Sequence, residues 1–371
     1  NDDRNLRPNK NIIRPILNIQ YRTEGFDVKD ITIYVNNPDA YYKSFLVKKF
    51  HEKWALENSI DTFIDEIVES YVDYGGALVR NMNESRPEVI DLRTLAFCDQ
   101  KDILSYPFAI KHTFSPSSLK KMVAWDKDAI ERLILLTKDE PEIIVYEVHG
   151  ILPEKDENEI NVVAHYKDRN KNEIGVTLFT HKEPKLPFKF LQRDSIYGRA
   201  LGFGGIEELI ESQVWTNFDE QKITEMLDVA SKILFKSSDP SFKTRNNLRN
   251  VDNFEVLTLQ ENKDIAQLDT YPRNLAIFND SVARWEQHAR QMGAASEGLL
   301  GEAPTSGTPF KLFEAQNIEA KSMHHYRQGK IAVFMEEIYR DWVLSHISKE
   351  ITNDQDFLTE LSSDEMQEVI E

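Results

Sequence analysis

The chain has 371 residues, 40% hydrophobic and 10% aromatic, which is enough for two or three domains with real cores and too apolar for a disordered chain. Its 45 Lys and Arg against 63 Asp and Glu give a net charge of −18, so generic attraction to nucleic acid or to an anionic membrane is disfavoured, and any DNA is handled without tight phosphate gripping. The one cysteine, Cys98, excludes an internal disulfide framework and a cysteine zinc site and fits a reducing compartment. No apolar run approaches the roughly 20 residues a membrane helix needs, and no secretory signal is visible, in a chain that begins with Asn1 rather than Met.

In chain order, residues 12–19 read as a short helix or strand interrupted by Pro15. Residues 31–35 are β-branched enough for a strand, which Asn36, Asn37, Pro38 and Asp39 end, capping the helix that follows. That helix turns Tyr42, Phe45, Leu46, Phe50 and Trp54 inward. A second helix opens at Asn58 or Ser59, sets Ile60, Phe63, Ile64, Ile67, Val68, Tyr71 and Val72 on one face, and stops at Gly75 and Gly76. From there to about Phe190 the pattern is of strands, over residues 77–79, 89–92, 143–148, 160–165 and 174–179. The turn-prone residues 168–172 join the last two as a hairpin. Two short helices interrupt, one with Pro116 at its first position, the other carrying Ile130, Leu133 and Ile134. The fold class is α+β with an antiparallel sheet.

At residues 197–205 (YGRALGFGG) the chain enters a long helix with Phe203, Ile206, Ile210, Val214 and Phe218, then Ile223, Leu227 and Ala230, expected inward. Residues 231–270 form a small insert in which residues 233–235 and 254–259 can pair as strands around a basic, turn-rich loop with Lys243, Arg245 and Arg249. Leu275, Phe278, Val282, Trp285, Ala289 and Met292 then recur at steps of three and four, one narrow helical stripe. Residues 293–309 follow with four glycines, two prolines and no period; their small side chains build no core, so neighbours must hold them. A last long helix starts at Phe310 and Phe313 and carries Ile331, Phe334, Met335, Ile338 and Trp342 to about His346, before an acidic tail. There is no internal repeat.

No residue pattern in the sequence marks a catalytic residue, a cofactor site or a metal site. Glycines opening a helix can cradle a phosphate, but residues 198–205 lack the Lys-Ser/Thr of a P-loop and the spacing of a dinucleotide fingerprint; the alternative is a tight turn where a strand end packs close to a helix. The loop 293–309 has no lysine. The nine histidines form no H-E-x-x-H pattern; His324 and His325 point apart on a helix and His288 stands alone, so each reads as a solvated or interface residue. Cys98 reads as a small packed hydrophobe, and the scattered carboxylates as solvated helix faces. Lys243, Arg245 and Arg249 read either as a solubilising turn or as a local patch that meets DNA or an acidic partner. Helices with narrow apolar stripes want helix partners, which suits a subunit of an assembly.

The order of parts resembles the portal protein of tailed bacteriophages. The likeness rests on a helix ending in a Tyr-Gly turn into a strand (Tyr74, Gly75, Gly76 into Val79), the strand at residues 89–92, and a later Tyr-Gly before a small-residue helix start (Tyr197, Gly198 to Gly202). It covers residues 9–346. By this resemblance residues 1–200 are an α+β wing, 201–230 a first stem helix, 231–270 a clip, 271–292 a second stem helix, 293–309 a tunnel loop and 310–346 a long wing helix. Residues 347–371 are an acidic tail or the start of a crown, the helical part that follows the wing helix in many portals.

The resemblance implies a homo-oligomeric ring, usually of twelve subunits, at one vertex of the virion capsid, assembled in the cytoplasm of the bacterial host. A terminase motor drives double-stranded DNA through it, and the major capsid protein and tail adaptor proteins are further partners; no membrane is involved. The implied role is structural, with no enzyme activity. Ser296, Glu297, Gly298, Thr305 and Ser306 of the tunnel loop would face DNA, and Lys243, Arg245 and Arg249 of the clip would meet the motor and adaptors. An acidic wall repels the DNA backbone and keeps it from sticking. The alternatives are another head-tail connector component, normally shorter, and a nucleotide-binding enzyme using residues 198–205.

Overall fold

The computed structural model of the chain describes residues 9–34, 41–82, 86–100, 102–137, 141–153, 155–167, 173–231, 235–245, 259–267, 274–296, 298–301 and 310–351. Helix α1 (Ile13–Glu24) forms despite Pro15, because proline in a first turn removes no intrahelical hydrogen bond. Its buried stripe begins with Ile16 and Leu17 and ends on two polar groups, Gln20 and Glu24. Asp27 caps a single 3-10 turn through a reciprocal capping box with Asp30. The strand expected at residues 31–35 is not formed in its described part: residues 31–34 pair with no strand and instead line a groove together with His325, Gln328 and Met335. β-branched composition alone gives no ladder without an edge to pair with.

Helix α2 (Tyr41–Glu57) buries Phe50 and Trp54, and α3 (Ile60–Tyr74) buries all seven residues its stripe predicts. α3 ends where Gly75 enters the left-handed region (φ 78°) and its N–H bonds back to Tyr71. The chain then builds two antiparallel sheets, where the sequence suggests one. The first, in the order β2, β1, β8, joins β1 (Gly76–Arg80) to β2 (Glu88–Ile90) and β8 (Phe188–Gln192). The second is a meander of β3 (Leu95–Ala96), β4 (Phe108–Phe114), β5 (Ile143–Ile151), β6 (Asn158–Lys167) and β7 (Glu173–Lys182), with β6 and β7 paired as the hairpin pattern predicts.

Helices α4 (Pro116–Leu119) and α5 (Lys127–Leu136) close one core over the meander, with Leu119, Ile130 and Leu133 against Val145, Val162 and Leu178. A second core of Leu78, Ile90, Ile103, Phe108, Ile110 and Phe188 ties the two sheets together. Cys98 is exposed, not packed: it follows β3 beside Asp99, whose carboxylate accepts the Ala200 N–H, and that turn faces it outward.

The chain divides into two compact units. The larger comprises Arg14–Glu208 and Gly293–Glu371, the smaller Asn1–Ile13 and Leu209–Met292. In the larger unit α9 (Phe310–Ile338) passes through a π turn (Tyr339–Val343) into α10 (Leu344–Ile351), so the helical run extends past His346. The π turn inserts one extra residue and rotates the buried face. Ile331, Phe334, Met335 and Ile338 hold the expected stripe, but Tyr339, Val343 and Ile347 continue it, and Trp342 is only half-buried, under the Lys189 ammonium at 5.5 Å.

In the smaller unit lie α8 (Leu275–Met292) and most of α6 (Gly205–Ser231). α8 keeps its stripe, with Val282 and Ala289 buried, although Met292 at its end is exposed. α6 keeps Ile223 inward as expected but otherwise departs from the pattern. Its buried line is Leu209, Ser212, Thr216, Asp219 and Ile223, whereas Ile210 (51% exposed), Val214 (58%) and Phe218 (46%), expected inward, face out, as does Leu227. Small and polar residues let a neighbouring backbone lie close: Lys10 and Ile12 bond to Asn217 and Gln213, and Lys10 pairs with Glu286 of α8. Trp215 stacks on Trp285 at 6.2 Å and 11°. In the insert β9 (Phe235–Ser237) pairs with β10 (Ile265–Gln267); of the strands expected at residues 233–235 and 254–259, residues 233, 234 and 254–258 lie outside the described residues.

A charged chain links the two sheets. Arg80 on β1 holds Glu147 on β5 at 2.8 Å, His112 lies 2.8 Å from the same carboxylate, and His149 lies between Glu147 (3.1 Å) and Glu183 (2.8 Å). The Glu147 approach is an ion-pair contact without hydrogen-bond alignment. Burial works against the charged His149 ring, but the two carboxylates outweigh it and hold its pKa above the ordinary histidine value. A folded value above the unfolded one of about 6.5 gives stability that is complete below that pH and lost as pH rises through the folded value. The stability difference between the native protein and His149→Gln, measured by urea unfolding, should therefore be larger at about pH 6 than at about pH 9.

Candidate functional site

The two glycine turns that the sequence singles out meet each other. The Gly75 carbonyl accepts from the Arg193 N–H at 2.9 Å and the Gly202 N–H at 3.0 Å, and Phe203 N–H donates to Asp194 at 2.9 Å. A Cβ on Gly75 would lie 2.4 Å from the Gly202 carbonyl oxygen, and one on Gly204 would lie 2.4 Å from that of Asp73. Gly202 and Gly204 are thus glycines because backbone lies against backbone, the alternative to a phosphate cradle. Glu207 and Glu208 open the first turn of α6, Glu207 forked onto Arg199 through two 2.8 Å bonds.

This contact brings Arg193 and Asp194, just after β8, beside the polar end of α1 and the middle of α9. Glu24 Oε1 accepts from Arg193 at 2.9 Å, lies 3.1 Å from His324 Nδ1 and 3.4 Å from Arg327. Glu24 and Arg193 are 0% exposed, His324 and Arg327 1%. Arg327 also donates to Asp194 through Nε at 3.0 Å, and Glu208 stands 4.0 Å away. Burial raises the Glu208 pKa, and burial likewise raises that of Tyr71, whose ring lies 5.9 Å from the Arg193 guanidinium. Taking isolated ions out of water costs several kcal/mol each; here each guanidinium has a carboxylate partner.

The loop after α8 starts on this cluster. Gln20 donates to the Gly293 carbonyl at 3.4 Å, and His324 Nε2 lies 3.2 Å from the Ala294 carbonyl. Ala294 is held in the left-handed region (φ 50°), which costs roughly 1–2 kcal/mol for a residue with a side chain. Ser296 donates to Asn317 of α9 at 2.7 Å, and its carbonyl accepts from Leu299 and Leu300 in a tight turn. Gly298 sits on the same Asn317, 2.4 Å from where its Cβ would be.

Of the residues assigned to the tunnel loop, Ser296 and Gly298 thus come together on Asn317, while Glu297, Thr305 and Ser306 lie outside the described residues. In the clip the backbone of Lys243 and Arg245 belongs to one helical turn, α7 (Phe242–Arg245), rather than an irregular loop, and Arg249 lies outside the described residues. The sequence reading missed the charged cluster, and it read His324 as solvated or at an interface. The signal was present: Gln20 and Glu24 continue the Ile16 stripe at steps of four, and His324 and Arg327 lead into Ile331 and Phe334 on one face of α9. His325 is exposed.

No protein-family model matches the chain, and no curated protein matches it in sequence. Among solved structures, a chain described as "Virion of native gene transfer agent (GTA) particle" matches with a TM-score of 0.39 and 9% identity over 89% of this chain and 85% of that chain.

The cluster makes a direct energetic prediction. Glu24→Ala leaves two buried guanidiniums without their shared carboxylate and should lower stability by about 3–5 kcal/mol, read as a lower urea midpoint. Removing the exposed partner of an exposed pair, as in Asp280→Ala beside Arg284, should leave the urea midpoint nearly unchanged.

Proposed function

We propose that the chain is a portal-type subunit: a structural, non-catalytic protein whose copies form a ring, of twelve subunits in the family it resembles, around the channel for double-stranded DNA packaging and ejection at one capsid vertex. In this reading a terminase and tail adaptors dock at the insert bearing Lys243, Arg245 and Arg249, the major capsid protein surrounds the wing, and Ser296, Glu297, Gly298, Thr305 and Ser306 face the passing DNA. The observation that carries it is the outward stripe of α6. Ile210, Val214, Trp215, Phe218 and Val229 are all 44–58% exposed on one side of the helix. Hiding the exposed half of each contributes on the order of 1 kcal/mol, a strong demand for a neighbour when the same stripe repeats at every subunit boundary of a ring.

Two further features support this reading over a nucleotide-binding enzyme. The amides of Gly202 and Phe203 are bonded to carbonyls of the same chain, and the first turn of α6 carries two carboxylates where a phosphate would sit. The length of α6 and α8, at 27 and 18 residues, supports a portal over a shorter connector component.

The test is native mass measurement of the purified protein with negative-stain imaging. A closed ring with a central hole is expected, and Val214→Asp together with Phe218→Asp should yield monomers that still unfold in one cooperative urea transition. A native protein that stays monomeric or dimeric at all concentrations would overturn the reading.

A further inference from the structure

We infer that residues 31–34 of one copy of the chain add as a strand to the free edge of β8 in the next copy. The ladder itself shows where that edge is. Arg193 N–H bonds to the Gly75 carbonyl and Asn81 N–H to the Pro187 carbonyl, so in the β1–β8 pair the odd-numbered residues of β8 face β1. Phe188, Phe190 and Gln192 therefore turn their backbone N–H and C=O groups to the other side. In the order β2, β1, β8 no described strand lies there. What lies there is a groove, with Phe190 and Gln192 on one wall and Tyr326, Gly329 and Val333 of α9 on the other. Tyr326 (65% exposed) and Val333 (58%) are largely bare, and a Cβ on Gly329 would meet nothing within 4 Å. An open strand edge beside an apolar wall is what an added strand needs: main-chain bonds on one side and room for alternate side chains on the other.

The lysine and the carboxylate of the groove are already engaged, Lys330 on the Arg193 carbonyl and Glu337 with Lys189 at 3.8 Å. The occupant that fits is therefore extended, uncharged and apolar at alternate residues, and the chain carries such a segment. Ile31, Thr32, Ile33 and Tyr34 have no charge and start from an extended Ile31 (φ −79°, ψ 114°). They alternate half-buried and exposed, with Tyr34 72% exposed, and pair with no strand among the described residues. Within one copy this segment and the β8 edge lie on different flanks of α9. Residues 31–34 lie beside Gln328, Ala332 and Met335, and the groove beside Tyr326, Lys330 and Val333, faces roughly 140° apart on a helix of about 3.6 residues per turn. The helix keeps them apart, so the partner is a second copy. A contact between two different patches runs head to tail, the kind that closes into a ring or extends into a filament.

In needing a second copy the contact rests on the portal reading, and the experiment separates the two. Thr32→Cys and Val333→Cys, both at exposed positions, are made separately in a Cys98→Ser background, co-assembled from mixed subunits and treated with a short bismaleimide. The mixture should give a cross-linked pair that joins the two variants, and neither variant alone should give one. Gly329→Arg fills the groove without a clash in the single chain and replaces a poor helix former. Added to both variants, it should abolish the mixed product without lowering the urea midpoint, whereas Gly329→Ala should keep the product. No mixed product, an equal product from either variant alone, or a product undiminished by Gly329→Arg would overturn the contact. Native mass and imaging of the same samples tell the two failures apart. A closed ring without the mixed product removes the contact and leaves the portal reading, and the mixed product in an open filament keeps the contact and removes the ring. Protein that stays monomeric removes both.

Discussion

Everything in the larger unit hangs on one buried carboxylate. Glu24 ends the apolar stripe of α1 in a place where water cannot follow, and a lone carboxylate there would cost far more than the fold could supply. The chain meets that demand by bringing Arg193 from the end of β8 and Arg327 with His324 from α9 to the same oxygen. Segments some 170 and 300 residues apart in sequence are thereby fixed against one another. Arg193 can arrive only because its own N–H bonds to Gly75, and Gly75 can accept it only because Gly202 and Gly204 lie against that turn with no side chains between. The glycines and the charges are two parts of a single constraint.

The same constraint positions the start of the loop after α8. Gly293 and Ala294 attach to Gln20 and His324, members of the two helices the cluster joins, and the turn beyond them rests on Asn317 of α9. The described start of the loop is thus rooted in a fully buried polar site. In the smaller unit the unmet demand is of the opposite kind, apolar surface left outside. The stripe of Ile210, Val214 and Phe218 is what an assembly would cover, and that is why a subunit role, rather than a chemical one, is the proposal the chain best supports.

Much of the larger unit is legible in its sequence. α3 could be drawn residue by residue because a clean 3.6-residue stripe ends at a glycine, and β5 to β7 because long β-branched runs flank a turn-prone link. β4 and β8 escaped because their apolar residues alternate with Lys111, His112 and Lys189 in short runs behind Pro107 and Pro187, where strand and loop compositions overlap. α6 shows a deeper limit. A stripe announces that a face must be covered, not whether the covering partner is in the same chain, so Val214 and Phe218 were assigned inward and lie outward. Trp342 was misplaced by the π turn, a one-residue insertion that periodicity cannot register. His324 was misjudged because a charged residue on a buried stripe reads as an interruption, when here it continues the stripe to a partner 300 residues away.

The central claim is that Glu24, Arg193, His324 and Arg327 act as one interaction rather than as neighbours. A double-mutant cycle between Glu24→Gln and Arg193→Met, followed by urea unfolding, measures that directly. The account predicts a coupling of about 1.5 kcal/mol or more, with the double variant less destabilised than the sum of the singles. Singles that add to within about 0.5 kcal/mol would contradict it.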